Sequence, residues 1–156
     1  MVTDQIIFMK EITIDYALRN TWQAVSKMYN EEAKHFKSTM AIGFTLLSID
    51  PKTGTPSTSL GPKMGMEATS LSRILKRMEE KGFIVRKPNP NDGRGVLIHL
   101  TGIGLERRNL SKEAVLKFNG TLKENIPEEK LKHFFEVTDA INKMISKKKI
   151  YTRHNN

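Results

Sequence analysis

The chain contains no cysteine. That absence excludes disulfides, thiolate metal sites and thiol-based redox sensing. It is compatible with the cytoplasm, which is the expected location. Long hydrophobic runs are also missing. The longest, Met40 to Ile49, has ten residues and contains Thr45 and Ser48, too short to cross a bilayer. The first residues, with Asp4 and Lys10 among a few apolar side chains, lack the form of a secretory signal. There is no internal repeat and no low-complexity stretch. Nucleophile elbow, phosphate loop and dinucleotide fingerprint are all absent. The four histidines, His35, His99, His133 and His154, are widely separated. A zinc site would have to be assembled from distant helices. Neither an enzyme nor a cofactor, metal or membrane partner is expected.

What is present is a basic chain of 156 residues with a formal net charge of +9. The length suits one domain, or one compact module with long flanking helices, and can bury an adequate core. A basic surplus favours an anionic partner, nucleic acid or an acidic membrane face, without choosing between them. The charge is unevenly placed. Residues 1–54 carry six basic and six acidic side chains, residues 55–101 eight against four, and residues 102–156 twelve against seven. The surplus therefore lies in the middle and at the end.

Hydrophobic periodicity divides the chain. Ile14, Leu18, Trp22, Val25, Met28, Tyr29 and Phe36 recur at three- and four-residue spacing, so 12–36 reads as a long helix. Ser38 or Thr39 can cap a second helix to about Ile49, apolar on nearly every side and hence central. Thr55-Pro56 reads as a cap followed by proline at the first position of a short helix, which Gly61-Pro62 interrupts or kinks. Gly65 marks a turn. Over 67–81, Leu71, Ile74, Leu75 and Met78 form a stripe that Gly82 ends. Phe83 to Lys87 and Val96 to Leu100 read as strands around a turn over Pro88 to Gly93, and so as a β-hairpin. Thr101 can cap a long helix over 103–124, and Pro127 starts the last one. The tail from Lys147 to Asn156 is polar, basic and expected to fray.

The informative unit is 55–101: short helix, tight turn, amphipathic helix, hairpin. A helix that reads a major groove needs an apolar face to seat it and donors of varied length opposite. It also needs a preceding helix to fix its angle. At 100° per residue, the face opposite the stripe holds Thr69, Arg73 and Lys76, flanked by Ser70, Ser72 and Arg77. Ser and Thr allow close approach, Arg suits bidentate contact with guanine, and Lys suits phosphate. A lone helix of this kind would more often be a solvated surface face; the neighbouring helix and hairpin reverse that reading. At the hairpin tip, Asp92-Gly93-Arg94 puts an arginine on a thin ribbon, where it can enter a minor groove. Asp92 can pin that arginine or shape the turn.

These residues resemble the DNA-binding core of the MarR family of bacterial regulators. The resemblance rests on Met64-Gly65, Thr69-Ser70-Leu71-Ser72-Arg73, Met78-Glu79-Glu80-Lys81-Gly82, Asp92-Gly93-Arg94 and Leu100-Thr101. It implies a mainly α fold with a small β-hairpin wing, a winged helix-turn-helix flanked by dimerisation helices. The corresponding segments are 1–36 for the N-terminal dimerisation helix, 37–101 for the DNA-binding module, 102–150 for the C-terminal dimerisation helices and 151–156 for a frayed tail. By position, Thr69, Ser70, Ser72, Arg73, Lys76 and Arg77 would face the major groove of double-stranded DNA. Arg94 would be the wing arginine and Asp92 its partner. In the family, the first helix and the last two pair across a two-fold axis. The implied function is a sequence-specific regulator, a repressor acting as a homodimer on a pseudo-palindromic operator. Two departures stand out. Gly61-Pro62 replaces the usual alanine-glutamate, and Glu67 sits where a Ser, Thr or Asp cap is commoner.

Many family members bind a small-molecule effector between the dimerisation helices and the winged module. Trp22, Tyr29, Phe36, Met40 and Phe44 are the candidates for lining such a crevice; ordinary core or dimer contacts are the commoner use of such residues. The rival function is a basic architectural or RNA-binding winged helix without a specific operator. Binding through the backbone alone would discriminate poorly between sequences.

Overall fold

The computed structural model describes residues 12–151. The order is α1 (Ile14–Lys34), α2 (Met40–Ser48), β1 (Thr55–Pro56), α3 (Ser57–Met64), α4 (Ala68–Glu80), β2 (Ile84–Asn89), β3 (Asp92–Leu100), α5 (Gly102–Asn125) and α6 (Glu128–Ser146). Contacts divide the chain into two compact units, one up to Ala114 and one from Val115. Among the described residues no helix is long and apolar enough to cross a membrane. His154 and the last residues of the basic tail lie outside the described residues, as does the chain before Ile12.

The first unit holds the core. Ile42, Leu46 and Ile49 from α2 and its end meet Leu60 of α3, Leu71, Leu75 and Met78 of α4, and Phe83, Ile84 and Ile98 of the sheet. Burying each such side chain stabilises by about 1.5–3 kcal/mol. The central helix is capped by Thr39, whose Oγ1 accepts from the Ile42 N–H at 3.3 Å. Its buried Thr45 hydroxyl donates to the Ala41 carbonyl at 2.7 Å, so burial leaves no unpaired donor there. By contrast, α1 and α6 bury none of their residues.

The sheet has three antiparallel strands in the order β1-β3-β2. Thr55-Pro56, expected as a helix start, is instead the edge strand β1, with Thr55 opposite Ile98 and Pro56 opposite Leu97. Pro56 has no N–H, which an edge strand tolerates. Thr55 is buried, and its hydroxyl accepts from the Asp50 N–H at 2.8 Å. The stop over Asp50 to Gly54 forms as expected, with the Asp50 carboxylate accepting from the N–H groups of Lys52 and Thr53 at 2.8 and 3.0 Å. The Thr53 bond, then the Lys52 bond, holds the Asp50 carboxyl below its ordinary range. Pro62 does not end α3. It is the sixth of eight residues, and the helix runs on to Met64.

The wing and the first turn of α5 are joined by a dense backbone contact. The Thr101 N–H donates to the Phe83 carbonyl at 3.0 Å. The Thr101 hydroxyl donates to the Gly82 carbonyl at 2.6 Å and accepts from the Gly104 N–H at 3.0 Å, which makes Thr101 the expected cap. Gly104 is buried against Phe83, and a Cβ there would collide with the Phe83 carbonyl oxygen. Gly104→Ala is therefore expected to cost about 1–3 kcal/mol or more, because backbone cannot yield as a side chain can. The check is the denaturant midpoint, which should fall with an unchanged slope; an unshifted midpoint would show that α5 can stand off from Phe83.

Candidate nucleic-acid interface

Helix α4 exists because one stripe of it is needed by the core. Leu71, Leu75 and Met78 are buried and Ile74 packs against them. Thr69, Ser70, Ser72, Arg73, Lys76 and Arg77 are all exposed. The six residues expected to face a groove are thus displayed together on the face that packing leaves free. Glu67 is the N-cap and makes no side-chain cap bond. The four first N–H groups of a helix lack internal partners and favour anions, so α4 begins with a donor-rich end that its own cap side chain leaves open. The turn before it is tight: the Met66 N–H donates to the Gly61 carbonyl at 2.9 Å, and Gly65 is left-handed at φ 60°. That turn sets the angle between α3 and α4.

The hairpin differs in detail from the sequence reading. Strands β2 and β3 run further out than expected, leaving only Pro90-Asn91 between them. Pro88 opposes Val96 while Asn89 opposes Asp92, so Gly93, Arg94 and Gly95 bulge out of register. Arg94 is exposed on this bulge, and its side chain makes no hydrogen bond or ion pair among the described residues. Asp92 does not pin the guanidinium. Its Oδ1 accepts from the Arg94 N–H at 3.0 Å, so it shapes the backbone that presents the arginine. Bulges re-aim side chains in this way. A Cβ on Gly95 would lie 3.1 Å from the Asp92 carboxylate.

One ion pair ties wing to helix: Arg86 Nε of β2 donates to Glu79 Oε2 of α4 at 2.7 Å. Both partners are about half exposed, so the pair adds little stability; its effect is on orientation. The sequence reading missed it, although Glu79 and Arg86 are only seven residues apart. No local pattern says which face of a strand will meet the preceding helix.

Of the five aromatic and methionine candidates, Tyr29 and Phe44 are in contact. Tyr29 meets Phe44 edge to face with centroids 5.6 Å apart, and burial pushes the Tyr29 hydroxyl above its ordinary pKa. The Met40 N–H donates to Asn30 Oδ1 at 3.0 Å. Trp22 is 55% exposed, and Phe36 is exposed. A recess of about 300 Å3 is lined by other residues, Lys37, Ser38, Thr39, Ile42, Arg77, Glu80 and Lys81. Among the described residues no group of three His, Asp or Glu side chains is placed to hold a metal ion.

A recognition-type helix seated on a preceding helix, with a three-stranded wing behind it, defines a winged helix-turn-helix. A family model for the MarR family matches residues 39–96. The chain is 31% identical over 78 residues to the uncharacterized HTH-type transcriptional regulator YdgJ of Bacillus subtilis, covering 50% of this chain and 48% of that one. It is 30% identical over 95 residues to the multiple antibiotic resistance protein MarR of Escherichia coli, covering 61% and 66%. The matched stretches thus span about half to just under two thirds of these relatives. Among solved structures, the S. aureus MepR–DNA complex superposes with a TM-score of 0.74 at 21% identity, over 88% of this chain and 99% of that one. Residues 39–96 thus carry a MarR-family domain.

The wing geometry carries its own test. Asp92→Ala should leave the melting temperature nearly unchanged, since the residue is exposed, while amide exchange at Arg94 rises. Unchanged exchange would mean that the bulge holds itself without the carboxylate.

Proposed function

We propose that the protein is a sequence-specific DNA-binding transcriptional regulator, a repressor that acts as a homodimer on a pseudo-palindromic operator. The observation that carries this reading is the division of α4. Three of its side chains are locked in the core while six short and cationic ones project from the opposite face. Thr69, Ser70, Ser72, Arg73, Lys76 and Arg77 enter the major groove, where Arg73 reads a base edge and the lysine engages phosphate. Arg94, raised on its bulge, enters the adjacent minor groove, with Asp92 holding the backbone beneath it. MepR, similar in fold, was solved with DNA, which supports the same partner here.

Dimerisation follows from surface that the chain leaves uncovered. Ile14, Leu18 and Trp22 on α1 and Phe134, Phe135 and Val137 on α6 are exposed. Amphipathic helices take most of their stability from packing, and a two-fold pairing of 1–36 and 102–150 around the 37–101 module would supply it. Repression is occlusion of the operator in the cytoplasm, relieved when a small effector settles beside the Tyr29–Phe44 contact.

Two measurements test this. Sedimentation equilibrium at micromolar concentration should give about twice the chain mass of 17.8 kDa; a clean monomer would remove the dimer. Arg73→Ala should keep fold and mass but lose about 1–3 kcal/mol of binding to a duplex selected by the wild-type protein from a random library. Equal loss on shuffled duplex would make Arg73 a phosphate contact. If the wild-type protein binds every duplex alike, the protein is an architectural winged helix without an operator.

A further inference from the structure

The end of α1 is closed by a left-handed cap. The Ser38 N–H donates to the Ala33 carbonyl and the Lys37 N–H to the Lys34 carbonyl, both at 3.0 Å, with Lys37 at φ 54°. Such a cap satisfies the last turn of the helix but turns the next carbonyls outward. Here those are the carbonyls of Phe36 and Lys37, and each receives a cation from far along the chain. Lys81 Nζ, at the end of α4, donates to the Lys37 carbonyl at 2.7 Å. Arg107 Nη1, on α5, donates to the Phe36 carbonyl at 3.1 Å. The two cations also share a ring. Lys81 Nζ lies 5.9 Å and the Arg107 guanidinium carbon 5.7 Å from the centroid of Phe83, which is buried.

Two long side chains, 26 residues apart, thus converge on one ring and on two consecutive carbonyls. Both bond carbonyls just past the negative end of α1, a place where cations are favoured, and both lie over the ring. Both hydrogen bonds are exposed, so they contribute little to global stability. What they do fix is position. Lys81 follows directly on Glu80, the last residue of α4, and the 2.7 Å bond allows little slack between that end and the end of α1.

We propose that Lys81 and Arg107 are positioning residues: they lock the recognition helix to the end of α1 and so transmit movement of α1 into DNA reading. This rests on α4 being the element that reads DNA. Neither side chain touches DNA itself. A displacement of α1 would pull on two carbonyls, and through them on the end of α4, on Phe83 and on α5.

The test uses full-length Lys81→Met/Arg107→Met, which keeps the aliphatic stems, beside Lys81→Arg/Arg107→Lys, which keeps the cations. The probes are a duplex selected by the wild-type protein from a random library and a shuffled duplex of the same composition. The methionine variant should bind the selected duplex roughly tenfold or more weakly and the shuffled one almost normally, with an unchanged dependence of log affinity on log salt. The swapped cations should restore most of the loss. Spin labels at Gln23→Cys and Ala68→Cys, possible because the chain has no cysteine of its own, should show a distance distribution that broadens in the methionine variant without DNA present. Equal weakening on both duplexes, with the salt slope reduced by about one per cation, would make these residues phosphate contacts and overturn the proposal. So would unchanged binding with an unchanged distance distribution. If the methionine variant melts many degrees lower, the single Lys81→Met variant carries the same comparison, and a normal distance distribution in it overturns the coupling. A wild-type protein that selects no duplex would defeat the DNA-reading function itself. The distance measurement would then still say whether the lock exists.

Discussion

The structure turns on Phe83. Its N–H donates to the Met78 carbonyl at 2.9 Å and so closes α4. Its carbonyl accepts from Thr101 at 3.0 Å and lies against Gly104, where no side chain could fit. The residue is 5% exposed and part of the core, and its ring is still within reach of two cations. One residue therefore ends α4, starts the wing and seats α5. A polar backbone buried this deeply must find partners, and the partners it finds are the elements that have to be held in fixed relation if a helix and a wing are to meet two grooves at once.

Around that joint the molecule separates rigidity from display. Every buried large apolar side chain of the described residues lies between Ile42 and Ile98. The groups that would meet DNA sit one layer out, on backbone that the core immobilises but does not cover. For α4 this is a matter of helical period: the buried stripe and the polar face belong to the same rigid cylinder. For the wing it is a matter of extra residues. Gly93, Arg94 and Gly95 leave the ladder, and the Asp92 carboxylate substitutes for the pairing they lose. Because the carboxylate bonds backbone and not the guanidinium, the arginine's side-chain donors stay free for a phosphate or a narrow groove.

The first and last described helices, α1 and α6, show the opposite economy. They are long and amphipathic, yet bury no residue of their own, and their apolar side chains stay exposed in the single chain. Exposed apolar surface on this scale is the observation behind the proposal that the protein is half of a symmetric pair.

Much of this was legible in the residues alone. The stripe Leu71, Ile74, Leu75, Met78 determined α4 and, by exclusion, its exposed face, because both follow from one period along a continuous segment. Ser38 or Thr39, and Thr101, announced helix starts through local chemistry, with the structure choosing Thr39, and the turn residues near Asp92 announced a hairpin. What required the fold were the contacts between segments. A two-residue strand such as Thr55-Pro56 has no period to detect; it is a strand only because Leu97 and Ile98 arrive beside it. Pro62 reads as a helix breaker, yet α3 passes through it to Met64, with Leu60 and Gly61 just before it buried in the core. The role of Asp92 was undecidable in sequence between side chain and backbone, and the bulge decided it. Lys81 and Arg107 look like two surface cations among many; 44 and 71 residues separate them from the carbonyls they hold. Local periodicity says what an element is, but only the packed chain brings a distant donor to a particular acceptor.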